Sequence, residues 1–405
     1  MRALSPTDSE QTNTLSGVWM LFALCMALLL SNTTQWYADW LHPPLVWHTP
    51  FFTLNISLTA FVKDCLMVFF FAQIGMELRL QYEEGFLADR RQILLPLMAA
   101  LGGMVVPAII YGLINLHHPE NMIGFAIPCA TDIAFALCLW NIIRHSLPPS
   151  LRVFLLSIAI FDDLGAMLII AIFYNSHFNG LWLLIGSTIV GLIAFLSRRK
   201  ISNTWLYVLL GASLCFCFHK AGLHTTLAGF MVGALLPLRG SFGEPYLKTL
   251  MHKLEPWVQW LVLPLFAFMS SGISLCALQL SDWHHPIFLG VFLGLFLGKQ
   301  LGITGVSYAM LRLKWAALPP QSSIAQVYAV SIFAGIGFTM SLFIGLLAFE
   351  QDQQQNLVKM GVIAGSLACV LLLRCLLKPE KTLIRRLGAT LSRLAGEGKN
   401  FIRRS

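Results

Sequence analysis

The sequence predicts an all-α polytopic membrane protein, and three observations carry that expectation. Of its 405 residues, 57% are hydrophobic and only 11% are charged, against about a quarter charged in an average soluble domain. Apolar runs near or above the ~18 residues needed to cross a bilayer recur along the whole length. The lysines and arginines gather at alternate ends of those runs. No soluble core of this size could hide so much apolar surface, so the excess faces lipid.

Hydropathy places about twelve spans, near 16–31, 57–76, 93–115, 122–143, 151–174, 181–197, 204–219, 222–237, 257–273, 286–310, 325–348 and 358–377. The first is short enough to resemble a signal peptide. Asp8 and Glu10 make a poor basic n-region, however, and no small-x-small cleavage site follows, so it is read as a helix. With an even number of spans and both termini inside, 23 of the 27 lysines and arginines fall on the cytoplasmic side. Lys220 and Lys359 fall at outer ends, while Lys63 and Lys299 lie within spans. Positive charge stays inside during insertion, so this asymmetry sets the orientation. It also accounts for the net charge of +8 without nucleic acid as a partner.

The expected organisation is a cytoplasmic segment 1–15, one transmembrane domain 16–377 and a basic cytoplasmic tail 378–405. Leu383, Leu387, Leu391 and Leu394 share a helical face in that tail. The pattern suits an anchor on anionic inner-leaflet lipid or a solvated basic end equally well. The nine cysteines are expected to be small core residues, since Cys215 and Cys217 lack partners at metal-ligand spacing.

A lone ionised residue at mid-membrane costs about 2.5–3.5 kcal/mol on insertion scales. Four spans nevertheless carry charge: Lys63 and Asp64 in span 2, Asp132 in span 4, Asp162 and Asp163 in span 5, and Lys299 in span 10. Such residues mark ion pathways by default, the other reading being salt bridges that hold helices together. Asp162 and Asp163 are the sharpest pair. Adjacent residues on a helix point about 100° apart, so their carboxylates reach different partners around one small volume. Two such groups in a low dielectric resist ionising together, and at least one pKa is expected to rise. A small hard cation such as Na⁺ stabilises the deprotonated oxygens, so cation and proton compete for one seat. Lys299 supplies the opposite charge, and an aspartate–lysine pair that opens on cation binding would release a second proton. Transport would then draw on the membrane potential.

Pro128, just ahead of Thr131 and Asp132, is expected to kink or unwind span 4. Gly335 and Gly337 do the same at the middle of span 11, glycine tolerating non-helical backbone. Two interrupted spans in corresponding positions of the two halves match an inverted repeat; either break alone is equally a packing kink. Asp132 and Lys299 are the charges placed to compensate the half-helix ends. Gly335-x-Gly337 lacks the preceding strand and third glycine of a nucleotide-binding loop. Gly294, Gly298 and Gly302 recur every four residues and read as a helix-packing face beside Lys299.

TDIAFAL (131–137), FDDLGA (161–166), GLHTTLAG (222–229), LPLFAF (263–268) and GIGFTMS (335–341) resemble the NhaA family of sodium–proton antiporters. The likeness runs in order from about residue 17 to 375, and the family is itself a standing example of the inverted-repeat pattern. The resemblance implies twelve helices, with spans 4 and 11 unwound and crossing at mid-membrane. It implies a secondary active Na⁺(Li⁺)/H⁺ antiporter of the bacterial inner membrane, extruding sodium for pH homeostasis and salt tolerance. Asp163 looks like the main cation-binding aspartate, with Asp162 beside it contacting Lys299. Sodium coordination falls to Asp163 and Asp162. Thr131 and Asp132 match the polar pair on the unwound part of span 4. Glu77 and Asp64 match accessory acids, Glu77 at the inner mouth. His224 matches a histidine linked to the pH profile, although a hydrogen-bonded structural role suits it as well.

The chain departs from the pattern at Gln300, where proline is expected, and at Lys63, a candidate partner for Asp64. It departs also at Leu80-Gln81 and near Met251, where an acidic residue is missing. The 43–57 stretch can form a dimer-forming hairpin, though its alternation is weak. No cofactor and no organic substrate are expected; membrane lipid and a second copy are the expected partners. A Na⁺-coupled symporter would need a cavity for an organic solute. An intramembrane aspartyl protease would need Tyr-Asp and Gly-x-Gly-Asp contexts, and neither occurs.

Overall fold

Helices account for nearly all of the structure, a computed structural model that describes residues 6–34, 37, 44–48, 53–85, 90–143, 147–175, 178–274 and 279–376. The 378–405 tail, and with it the predicted amphipathic face, lies outside the described residues. In chain order the helices are α1 (Pro6–Thr33), α2 (Leu58–Glu84), α3 (Arg90–Ile114), α4a (Pro119–Cys129), α4b (Ile133–Ile143) and α5 (Pro149–Phe173). There follow α6 (Gly180–Arg198), α7 (Thr204–Ala221), α8 (Thr225–Leu235) and α9 (246–270). The last are α10 (Pro286–Arg312), α11a (Ile324–Ala334), α11b (Phe338–Ala348) and α12 (Asp352–Leu376). One antiparallel hairpin interrupts the series: β1 (Pro44–His48) pairs with β2 (Thr53–Ser57), Val46 opposite Asn55. It falls inside the predicted 43–57 stretch.

Eight of these helices are long and apolar enough to cross a membrane, and the bent pairs α4a/α4b and α11a/α11b bring the number to ten. The other two predicted spans coincide with α8 and α9. With eleven residues, α8 is about 16 Å long, roughly half the hydrocarbon thickness. Polar residues fill the first turns of α9 (LKTLMHKLEPW), and a π turn at Val258–Val262 leads into its apolar end, Leu263–Ser270. Burial is uneven, as lipid contact requires. α6 presents Leu181, Leu184 and Phe195 outward, whereas every residue from Val330 to Gly345 is buried.

The main apolar core gathers α3, α4, α5, α10, α11 and α12 around the two breaks, with α1, α2 and α9 against it. A smaller cluster of Met76, Ile193, Tyr207, Leu214 and Phe218 joins α2, α6, α7 and α8. The predicted glycine face of α10 is real and has a specific neighbour. A side chain at Gly298 would meet the Cα of Pro107 at 2.7 Å, and one at Gly302 would collide with the Gly102 carbonyl. Small residues therefore let the α10 and α3 backbones touch, which lipid tails give no hydrophobic reason to do.

The cysteine expectation needs correction. Cys129, Cys138, Cys217 and Cys369 are buried, but Cys25, Cys65 and Cys375 lie on the outer surface. In a lipid-facing protein an apolar run is as much outside as core, so hydropathy alone does not place a cysteine.

Candidate cation-binding site

The first half of span 4 is a 3₁₀ helix from Pro119 to Cys129, with Pro128 in its last turn. Ala130 is extended, and α4b leaves at 43° to α4a. Span 11 breaks at Gly335–Gly337 with a 48° bend. The glycines are there for a different reason from the one expected. Both have ordinary right-handed φ values, −71° and −97°, so no left-handed backbone is involved. Space is the requirement. A Cβ at Gly335 would lie 2.9 Å from the Leu295 carbonyl, and one at Gly337 3.0 Å from the Ala130 carbonyl.

The two gaps satisfy each other's polar groups, as a lipid interior demands. Asp132 donates its backbone N–H to the Ile336 carbonyl at 2.8 Å. The Thr131 hydroxyl lies 2.8 Å from the Ala334 carbonyl, and Ser341 Oγ donates to the Ile127 carbonyl at 2.8 Å. Asp132 Oδ2 accepts from both the backbone N–H (2.9 Å) and the hydroxyl (2.6 Å) of Thr339, while its Oδ1 accepts from Phe135 N at 2.9 Å. One carboxylate thus caps the N-termini of α4b and α11b together, where helix dipoles favour negative charge.

Against this crossing stand α5 and α10. Lys299 Nζ lies 2.5 Å from Asp162 Oδ2 and 3.1 Å from Thr131 Oγ1, and the Thr131 hydroxyl is itself 2.8 Å from Asp162 Oδ2. Asp162 and Lys299 are fully buried, Asp132 and Asp163 2% exposed. A hydroxyl carries one proton, so Thr131 can donate to Asp162 or to Ala334 but not to both at once. Asp163 is different in kind. Neither of its carboxylate oxygens, nor Asp162 Oδ1, has a hydrogen-bond partner among the described residues.

Three carboxylates face one ammonium, an excess of negative charge in a low-dielectric interior that favours capture of a small cation or a proton. The three unpartnered oxygens suit a hard cation, which takes oxygen ligands.

The structure brings Thr131, Asp132, Asp162, Asp163 and Lys299 together, with Pro128, Gly335 and Gly337 shaping the backbone around them. The accessory residues make no hydrogen bond or ion pair with this cluster. Asp64 sits in a π turn of α2, Val62–Leu66, its carbonyl accepting from Thr225 Oγ1 at 2.7 Å. No salt bridge joins it to Lys63. His224 precedes α8, near Lys63, Asp64 and the Tyr174 backbone. Glu77 accepts from Gln81 at 2.6 Å and faces Glu255 of α9. Glu255 was not singled out from the sequence, although it lies one turn beyond Met251, where an acid is missing. Thr339 was also missed, despite standing inside the quoted GIGFTMS motif.

The profile of the family described as Na⁺/H⁺ antiporter 1 matches residues 8–377. The chain belongs to that family. It is 41% identical over 364 residues to the Na(+)/H(+) antiporter NhaA of Pectobacterium carotovorum, covering 88% of this chain and 91% of the relative. To the protein of that name from Salmonella paratyphi A it is 40% identical, covering 87% and 92%. To the one from Shigella dysenteriae it is 38% identical, covering 90% and 96%.

Proposed function

We propose that this chain is a secondary active antiporter that extrudes Na⁺ or Li⁺ in exchange for H⁺, with Asp163 as the shared seat and Asp162 as its second oxygen source. The carrying observation is the set of three buried, unpartnered carboxylate oxygens on Asp162 and Asp163, beside Lys299 and at the meeting of two broken helices. Protonation and cation coordination each neutralise the same oxygens, so one excludes the other. Deprotonated Asp163 attracts the cation. Asp162 joins it by turning from Lys299, whose ammonium then loses its best partner and can release a proton. Thr131 holds the neighbouring half-helix end in place while Asp162 changes partners. Alternating access then opens the seat to one side at a time, drawing on the membrane potential.

This reading makes the protein a transporter of ions with no cofactor and no organic substrate. Twelve spans, with α8 and α9 among them, leave both termini cytoplasmic in a bacterial inner membrane, as the lysine and arginine distribution favours. The 16–377 region is then the antiporter domain, with short cytoplasmic ends. Lipid is its surroundings, and the β1–β2 hairpin, which pairs with no further strand among the described residues, is the surface best suited to a second copy. Asp64, Glu77 and His224 remain accessory: acids at the flank of the path and a pH-responsive imidazole.

In everted vesicles, Na⁺ or Li⁺ should collapse a preformed ΔpH without any organic solute. The apparent KM for Na⁺ should rise as pH falls, by about tenfold per unit where one proton excludes one cation. A trace that stays flat across pH 6.5–9 defeats the proposal.

A further inference from the structure

Lys299 opens a regular α-helical stretch that runs to Arg312. It follows the π turn Gly294–Gly298, and its backbone N–H bonds the Gly294 carbonyl five residues back. One extra residue in a turn rotates everything after it by about 100° around the helix axis. The side chain of Lys299 reaches Asp162 and Thr131 because of that turn, and whatever holds the turn holds the ammonium.

The next residue does so. Gln300 is 5% exposed, an amide sunk in an apolar helix, and both ends of that amide are used. Its Nε2 donates to the Phe296 carbonyl inside the π turn, and its Oε1 accepts from the Tyr328 hydroxyl of α11a at 2.7 Å. A carbonyl can only accept, so the amide nitrogen must face Phe296 and the orientation follows. One turn along α10, Thr304 Oγ1 lies 3.1 Å from Ser331 Oγ, which donates to the Tyr328 carbonyl at 2.7 Å. A two-rung polar ladder therefore ties α10 to α11a, the half-helix whose last carbonyl, on Ala334, meets Thr131.

We infer that Gln300 and Tyr328 are positioning residues for Lys299: they lock the π turn that aims the ammonium and link it to α11a, the broken helix that meets Thr131 beside the ion seat. The pair contributes no ligand to the cation. It sets how far Lys299 stands from Asp162 when α11a shifts, and so how readily the Lys299–Asp162 pair opens. This assignment rests on the antiport reading, and its test separates the two.

The measurement is Na⁺-driven ΔpH collapse in everted vesicles across pH 6.5–9, for the full-length parent, Gln300→Met, Tyr328→Phe and the double variant, each normalised to the protein present. Gln300→Met keeps the volume and removes both bonds; Tyr328→Phe keeps the ring and removes one, and serves alone if the first variant does not fold. Each should raise the apparent KM for Na⁺ about threefold to tenfold, the scale of one buried hydrogen bond, and displace the pH profile in a common direction. The double variant should be no worse than Gln300→Met, because both act on one link. Parent-like KM and pH profile in both single variants overturn the assignment. So does a fall confined to maximal rate, or strict additivity. A parent that exchanges nothing overturns antiport itself, and the positioning role with it.

Discussion

Asp132 Oδ2 holds the backbone N–H and the hydroxyl of Thr339 at 2.9 and 2.6 Å, across 207 residues of sequence. Its other oxygen holds Phe135 N of its own helix. The two half-helices thus share one negative charge, and the crossing is a single polar unit rather than two independent kinks. Removing the carboxylate with Asp132→Ala orphans three buried donors and should cost about 2–4 kcal/mol of stability. Thr339→Val should cost about 1 kcal/mol. Thermal unfolding in detergent checks both, and equal melting temperatures for parent and Asp132→Ala would remove Asp132 from this role.

Asp163 has no such structural duty. Asp163→Asn should abolish exchange while leaving thermal stability near the parent value, since no internal hydrogen bond is lost. Asp163→Glu should retain transport with weakened apparent affinity. Full transport by Asp163→Asn in vesicles would show that the seat lies elsewhere.

Lys299 behaves in the opposite way. It is one partner of a fully buried ion pair, and removing one side leaves an uncompensated charge, typically at a cost of about 3–5 kcal/mol. Lys299→Ala should therefore unfold earlier than the parent. Adding Asp162→Asn should restore part of the loss, because the orphaned charge is then gone. A double variant less stable than Lys299→Ala would contradict the pairing.

A pH effect is expected far from the ion seat, in the turn between α8 and α9. Glu244 accepts from its own backbone N–H, from Ser202 Oγ at 2.9 Å and from Phe242 N at 3.1 Å, and these bonds hold its carboxyl below the usual range. A value depressed in the fold means the contribution is present above the ordinary glutamate pKa of ~4.3 and fades as pH falls through the lowered one. At pH 7, Glu244→Gln should raise deuterium uptake in residues 239–245 with exchange activity unchanged. Uptake identical to the parent would deny the carboxylate any part in the turn.

Much of this architecture was legible because lipid writes simple rules. Asp162 and Asp163 stand out in an apolar run, and hydropathy located the eight long helices to within a few residues at most ends. What stayed hidden depends on partners distant in sequence. Thr339 in an apolar helix has many conceivable acceptors, and nothing local points to Asp132. Gln300 reads as a departure from a motif until Tyr328 is placed beside it. Gly335 and Gly337 were noticed for backbone freedom, whereas crowding by Leu295 and Ala130 is what excludes a side chain. Glu255 carries no local signal, and only the packing of α9 against α2 sets it opposite Glu77. The 222–237 span is helical over Thr225–Leu235 only, because apolar residues flanking α8 extend its hydropathy beyond the helix.

Asp162, Asp132 and Lys299 are woven into the scaffold, and disturbing any of them tears bonds between helices. Among the described residues, no hydrogen bond moors the Asp163 carboxylate. A passenger can board or leave it without unpicking the bundle, so loading need not wait on local unravelling. The architecture thereby divides its labour: neighbours carry the strain of holding shape, and one untethered acid is left quick to trade.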